Sequence, residues 1–127
     1  MEPTWNNFAD FLAAELPQLR EEIEESYLGW LEAFKDPYPH VFLEEFVAPL
    51  LLGTAPVCEP NARLRAGEIL DRVLTCADQD LAEAALTTIL EAFRDDSALR
   101  ELAWPYLGPT ARQWTMRLLA GSANRGG

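Results

Sequence analysis

Between Ala66 and Phe93 the apolar side chains recur at steps of three and four residues, and that rhythm restricts the fold more than any other feature of the chain. Ala66, Ile69, Leu70, Val73, Leu74 and Ala77 make one stripe, and Ala82, Ala85, Leu86, Ile89, Leu90 and Phe93 repeat its spacing. Residues three or four apart share a helix face, so each stripe is the inward side of an amphipathic helix. The acidic joint between them, residues 77–80, offers Asp78 or Asp80 as an N-cap, which predicts an antiparallel αα-hairpin. No stretch alternates with the period of two that a half-buried strand requires, so the expected class is all-α.

The same rhythm, interrupted by prolines and glycines, divides the rest of the chain. Trp5, Phe8, Phe11, Leu12 and Leu16 stand at helical spacings, with Thr4 as the expected N-cap and Pro17 as a break. A second helix is predicted from about Pro17 to Phe34, and the two prolines of "KDPYPHV" make a connector. Pro39 suits the first turn of a third helix. That helix carries Val41, Phe42, Phe46 and Leu50, with Pro49 threatening a kink and Gly53 a stop, and its apolar C-terminal part is expected to be the most buried segment. "GTAPVCEPNA" is the longest loop signal. Beyond the hairpin, a short helix is expected to bury Leu99, Leu102 and Ala103, and Gly108 is expected to take a left-handed cap before Pro109 opens the last helix. That last helix would turn Ala111, Trp114, Thr115 and Leu118 inward. The prediction is one domain over residues 1–120 with a flexible tail at 121–127. It holds six or seven helices, as a compact bundle or a short stack of αα-hairpins.

At 127 residues, 49% of them hydrophobic, the chain is long enough to bury one core. Its longest apolar run, Phe46 to Gly53, is far short of the roughly 18 residues a spanning helix needs, and the acidic N-terminus lacks the pattern of a secretory signal. A cytoplasmic address is expected, with no membrane contact. The net charge of −11 is unevenly spread, because residues 1–60 hold 12 of the 21 acidic residues and only 2 of the 10 basic ones. Clustered Lys and Arg are what phosphate contacts require, so direct nucleic-acid binding is disfavoured and a basic protein is the natural complement.

Chemistry is sparse. His40 is the only histidine and has no nucleophile motif near it, while Cys58 and Cys76 lack metal-type spacing and read as reduced, inert thiols. His40 and Glu44 could share a helix face, but a single such pair falls short of a metal site. There is no phosphate loop, zinc spacing or calcium loop. The expectation is no catalytic residue, no metal, no cofactor and no enzyme.

The second helix concentrates the charge. At 100° per residue, Leu16, Leu19, Ile23, Tyr27, Trp30 and Phe34 gather into a core stripe, while Glu21, Glu25 and Glu32 lie opposite, flanked by Glu22 and Glu24. Leu28 falls within the acidic side. It is either an incidental surface leucine, which is ordinary, or an apolar anchor ringed by carboxylates. Glu21 and Glu25 form a like-charge pair one turn apart, which destabilises an isolated helix by roughly a few tenths of a kcal/mol. The candidate partner-binding residues are therefore Glu21, Glu24, Glu25, Leu28 and Glu32, with Glu44 and Glu45 as an extension.

"FLAAELPQLREEIEES", "PHVFLEEFVAPLL", "AALTTILEAF" and "YLGPTARQW", in that order and spacing, resemble a family of small bacterial helical proteins known only as a domain of unknown function. Such proteins look like the immunity proteins of bacterial toxin systems. The resemblance implies a small acidic binder, monomeric when free, that neutralises a cognate toxin with a basic surface. The rival expectation is a helical scaffold or adaptor, possible as a homo-oligomer, whose apolar contacts come from Trp104, Tyr106 and Trp114.

Overall fold

Helix follows helix along the whole chain in the computed structural model, which describes residues 1–36, 38–56 and 58–125, with side chains through residue 121. Seven helices, and no strand, occur among the described residues. They are α1 (Phe8–Glu15), α2 (Arg20–Phe34), α3 (39–52), α4 (Pro60–Leu74), α5 (79–95), α6 (Ser97–Ala103) and α7 (Pro109–Arg125). Pro37, in the expected connector, and Val57, in the expected loop, lie outside the described residues. The last helix runs to Arg125, into the segment expected to be a tail, and residues 126 and 127 lie outside the described residues.

The two stripes form helices α4 and α5, which meet chiefly where residues 79–85 leave the joint, and Asp78 is the cap of α5. One Asp78 oxygen accepts hydrogen bonds from the Asp80 and Leu81 N–H groups at 3.1 and 3.2 Å, satisfying donors that a helix start leaves free. Its other oxygen accepts from the Trp5 N–H at 2.7 Å, which ties the N-terminal segment to the same point. Thr4 does not cap α1 directly. It exchanges hydrogen bonds with Asn7, backbone N–H to side-chain oxygen in both directions at 2.7 and 3.2 Å, and the helix opens one turn later than expected.

The core is continuous. Phe8, Phe11, Leu12 and Leu16 from α1 meet Phe42, Leu43, Val47, Leu50 and Leu51 from α3, together with Ile69, Leu70 and Val73 from α4 and Ile89, Leu90 and Phe93 from α5. Burying one such Leu, Ile or Phe contributes roughly 1.5–3 kcal/mol. The expectation that α3 is the central helix is met only on one side, because Phe46, Ala48 and Leu52 remain partly exposed. α4 occupies the middle, touching α1, α3, α5, α7 and the turn at residues 104–106.

Two wide π turns interrupt the α-helices, at Leu43–Val47 in α3 and Leu86–Leu90 in α5, and they lie against each other. The first has a clear cause. Pro49 lacks an N–H and its ring would strike the Glu45 carbonyl in a regular helix, and widening the preceding turn moves that carbonyl aside. In the second, the Thr87 hydroxyl donates back to the Glu83 carbonyl at 3.0 Å, a contact that competes with the regular ladder.

Gly108 is not a left-handed cap, since Gly53 is the one described glycine with positive φ. The start of α7 is capped instead from another helix. Asp71 of α4 accepts from the Thr110 N–H at 3.2 Å and the Ala111 N–H at 2.8 Å, and a Cβ at position 108 would collide with its carboxylate. Gly67 has a comparable role, because a Cβ there would collide with the Tyr106 carbonyl oxygen and hold the 104–106 turn off α4. In α7, Ala111 and Thr115 are fully buried as expected, and the Thr115 hydroxyl donates to the Ala111 carbonyl at 2.8 Å. Leu102, expected inside, is 52% exposed at the end of α6. The short α6 turns only Ala103 fully toward the core before the chain tightens into the turn at Trp104–Tyr106.

Candidate protein-binding surface

α2 has a good helix composition, rich in Glu and Leu, but it finds a neighbour along only half of its length. Ile23 is its one buried residue, with Tyr27 partly covered through contact with Phe42. Its main neighbour, α1, is just eight residues long and ends at Glu15. The predicted core stripe therefore fails at its distal end. Phe34 is 56% exposed, and Trp30 stacks on it at 5.0 Å between ring centroids instead of entering the core. Tyr38 closes the group at 5.6 Å from both rings.

The backbone at this elbow is specialised. Lys35 ends α2 in the left-handed region, φ 57°, with its N–H bonded to the Leu31 carbonyl at 2.8 Å. The Asp36 carboxylate then accepts from the Tyr38 N–H at 2.9 Å, and Tyr38 is itself held at φ 43°. A bulky residue in that region costs on the order of 1–3 kcal/mol and is retained only where its surroundings enforce it. Here the surroundings are the aromatic stack and, beyond it, the His40 ring, edge-on to Tyr38 at 5.3 Å.

Glu21, Glu24, Glu25, Leu28 and Glu32 share the outward face of α2, and all five are exposed. Leu28 is 63% exposed. Glu24 lies 3.8 Å from Arg20, a loose and fully solvated pair worth little. Glu21, Glu25 and Glu32 have no ion pair among the described residues. Glu44 is exposed on α3. Glu45 accepts a hydrogen bond from the Ser26 hydroxyl at 2.8 Å, which places it on the opposite flank of α2 from Leu28. There, Leu19, Glu22, Glu45, Phe46 and Pro49 line a mainly apolar groove of about 380 Å³. The structure thus brings five of the seven candidate residues onto one face and sets Glu45 at a second, adjoining one. Glu22, Phe46, Trp30 and Tyr38 belong to this surface without being candidates from the sequence, where the spacing makes Glu22 a flank, puts Trp30 and Phe46 on helix stripes and leaves Tyr38 in the connector.

The basic side chains of the other half are engaged internally. Arg63 donates to the Leu50 and Leu51 carbonyls at 3.0 and 3.1 Å and to the Tyr106 hydroxyl at 3.0 Å, capping α3 while its guanidinium lies over the Tyr106 ring. Arg65 and Arg72 grip Glu15 at 3.3 and 2.6 Å, joining α4 to α1. Arg100 donates to the Phe93 carbonyl at 2.8 Å, Arg112 lies over Trp104 and Arg117 over Trp114. Trp104, Tyr106 and Trp114, the expected patch of a scaffold, are packed partly against the core and each meets an arginine. Arg94 bonds Asp95 at 2.7 Å and holds its carboxyl below the usual carboxylate range.

Cys58 and Cys76 are free thiols. Burial pushes the Cys76 thiol up, which reduces its reactive thiolate form. Among the described residues no group of three or more His, Cys, Asp or Glu is placed to hold a metal ion, and no helix is long and apolar enough to cross a membrane.

Fold and surface together define an all-α protein with an exposed acidic face on α2. The chain belongs to a family described as a domain of unknown function, DUF7674, whose model matches residues 9–121 and so takes in α1 through most of α7. No curated protein and no solved structure matches it.

Proposed function

We propose that this protein is a non-enzymatic binder that docks α2 on a basic protein surface, and that the partner is a bacterial toxin which it neutralises stoichiometrically. The observation that carries this reading is the pairing of Leu28, 63% exposed, with Glu25 and Glu32, one turn away on either side, which no basic side chain pairs among the described residues, and with Glu24, which has only the loose contact of Arg20. A solvated helix gains nothing from that arrangement, whereas a basic cleft would offset the repulsion and cover the leucine. The glutamates at the rim raise the rate of encounter, and Leu28 slows dissociation by filling a pocket. Occlusion of a basic active-site cleft is the corresponding mode of inhibition.

The test is co-expression with a toxic protein encoded beside this gene. The wild-type chain relieves the toxicity, while Glu21→Lys, Glu25→Lys and Glu32→Lys combined folds normally by circular dichroism but protects poorly. Full protection by the folded triple variant would remove α2 from the interface. A scaffold reading draws on Leu102 and Met116, 52% and 56% exposed, beside an apolar hollow that includes Trp104 and Leu119. Light scattering separates the two readings, since a stable oligomer supports the scaffold and a monomer the inhibitor.

A further inference from the structure

Away from the outward face of α2, a hollow of about 570 Å³ opens between the N-terminal segment, the start of α3 and the first turns of α5. Trp5, His40, Asp80, Glu83, Thr87 and Thr88 line it. The Trp5 and His40 rings are 6.5 Å apart and tilted by 40°, and they continue the aromatic run that begins at Trp30. Asp80 and Glu83 enter no ion pair among the described residues, and neither carboxylate accepts a hydrogen bond there. Asp78 already caps the helix, so Asp80 adds only a first-turn charge and Glu83 has no part in its start.

Two departures from regular backbone converge on this hollow. The π turn at Leu86–Leu90 carries Thr87 and Thr88 on the wall, and such turns often mark functional positions. Tyr38, in its left-handed conformation, braces the edge of His40. The groups presented are two carboxylates, two hydroxyl oxygens and aromatic surface. An anion would be repelled, and the described residues do not gather the ligand set of a metal site. A planar organic cation meets every one of these groups, with its N–H donors on the carboxylates and hydroxyls and its flat face on a ring.

We propose that this hollow is a receptor for a guanidinium group, carried either by an arginine side chain of a peptide or by a small free alkylguanidine. The proposal is independent of the docking face on α2. It is tested by titrating the isotope-labelled protein with agmatine, with a Gly-Arg-Gly peptide, and with Gly-citrulline-Gly, the neutral isostere. Saturable shifts centred on the Trp5 indole and the Thr87 and Thr88 amides are expected with the charged probes and not with citrulline. Tighter binding of the peptide points to a protein ligand, and tighter binding of agmatine to a small molecule. Asp80→Asn with Glu83→Gln, both on exposed positions, should weaken binding about tenfold, while Glu68→Gln, exposed on α4 and outside the hollow, leaves it unchanged. Shifts that never saturate, that citrulline reproduces, that spread equally over α2, or that survive the double variant would overturn the proposal.

Discussion

The two halves of this molecule use charge in opposite ways. In α4 to α7, arginines close helix ends, grip Glu15 or cover aromatic rings, so most of them carry structural hydrogen bonds. In α2, three glutamates stand on an exposed face with no ion pair among the described residues, and the same face carries an exposed leucine. Charge in the first region holds the fold together, and charge in the second opposes it slightly. That surface repulsion, offset inside the molecule only by the place of Glu21 in the first turn of α2, is the physical basis for proposing that α2 meets a partner.

The sharpest way to break this comparison uses one residue type in both regions. Phe42, fully buried, should cost about 3–5 kcal/mol when replaced by alanine, measured by urea unfolding. Phe34→Ala should cost less, about 1–3 kcal/mol for two aromatic pairs, because its ring meets Trp30 and Tyr38 but not the core. Equal losses would mean that the distal half of α2 is packed after all.

Charges should separate next. Arg63→Met removes bonds to two carbonyls and to the Tyr106 hydroxyl, and should destabilise the protein by roughly 2–3 kcal/mol in the same unfolding assay. Neutralising Glu21, Glu25 and Glu32 to glutamine should instead change stability by only a few tenths of a kcal/mol, because relief of the Glu21–Glu25 repulsion is set against the loss of the Glu21 charge from the first turn of α2. The difference should shrink as salt is added, because screening weakens both effects. A clear loss of stability in the triple variant would show that these carboxylates hold the fold.

The smallest effect concerns Cys76. Its thiol is pushed up by burial, and the Asp78 and Glu2 charges add to the rise, so less thiolate is present at a given pH than for an open cysteine. Alkylation by iodoacetamide at pH 8 should be slower at Cys76 than in the urea-unfolded chain, with the rate climbing as pH rises.

How much of this was legible in the sequence differs between the same two regions. The helices α4 and α5, the Asp78 cap and the inward Ala111 and Thr115 follow from periodicity and capping chemistry, because both act within a few residues. The left-handed cap expected at Gly108 failed because the actual cap, Asp71, comes from a different helix. Trp30 and Phe34 fell on the right side of the helical wheel, yet periodicity cannot tell that α1 is too short to cover them. The π turns add a residue to the local repeat. Only Pro49 hinted at the first, and Thr87 gave no warning of the second. On the candidate surface, the shared face of Glu21, Glu24, Glu25, Leu28 and Glu32 could be read from 100° steps. The separate flank occupied by Glu45 could not, because it depends on how α3 meets Ser26.

Backbone hydrogen exchange, followed with and without a basic toxin that the chain neutralises on co-expression, tests the proposed docking role of α2 most directly. Slowed exchange concentrated over residues 21–34 is the predicted result, since that stretch has few core contacts of its own and would gain cover on binding. Protection confined to residues 102–119, with α2 exchanging as in the free protein, would contradict it.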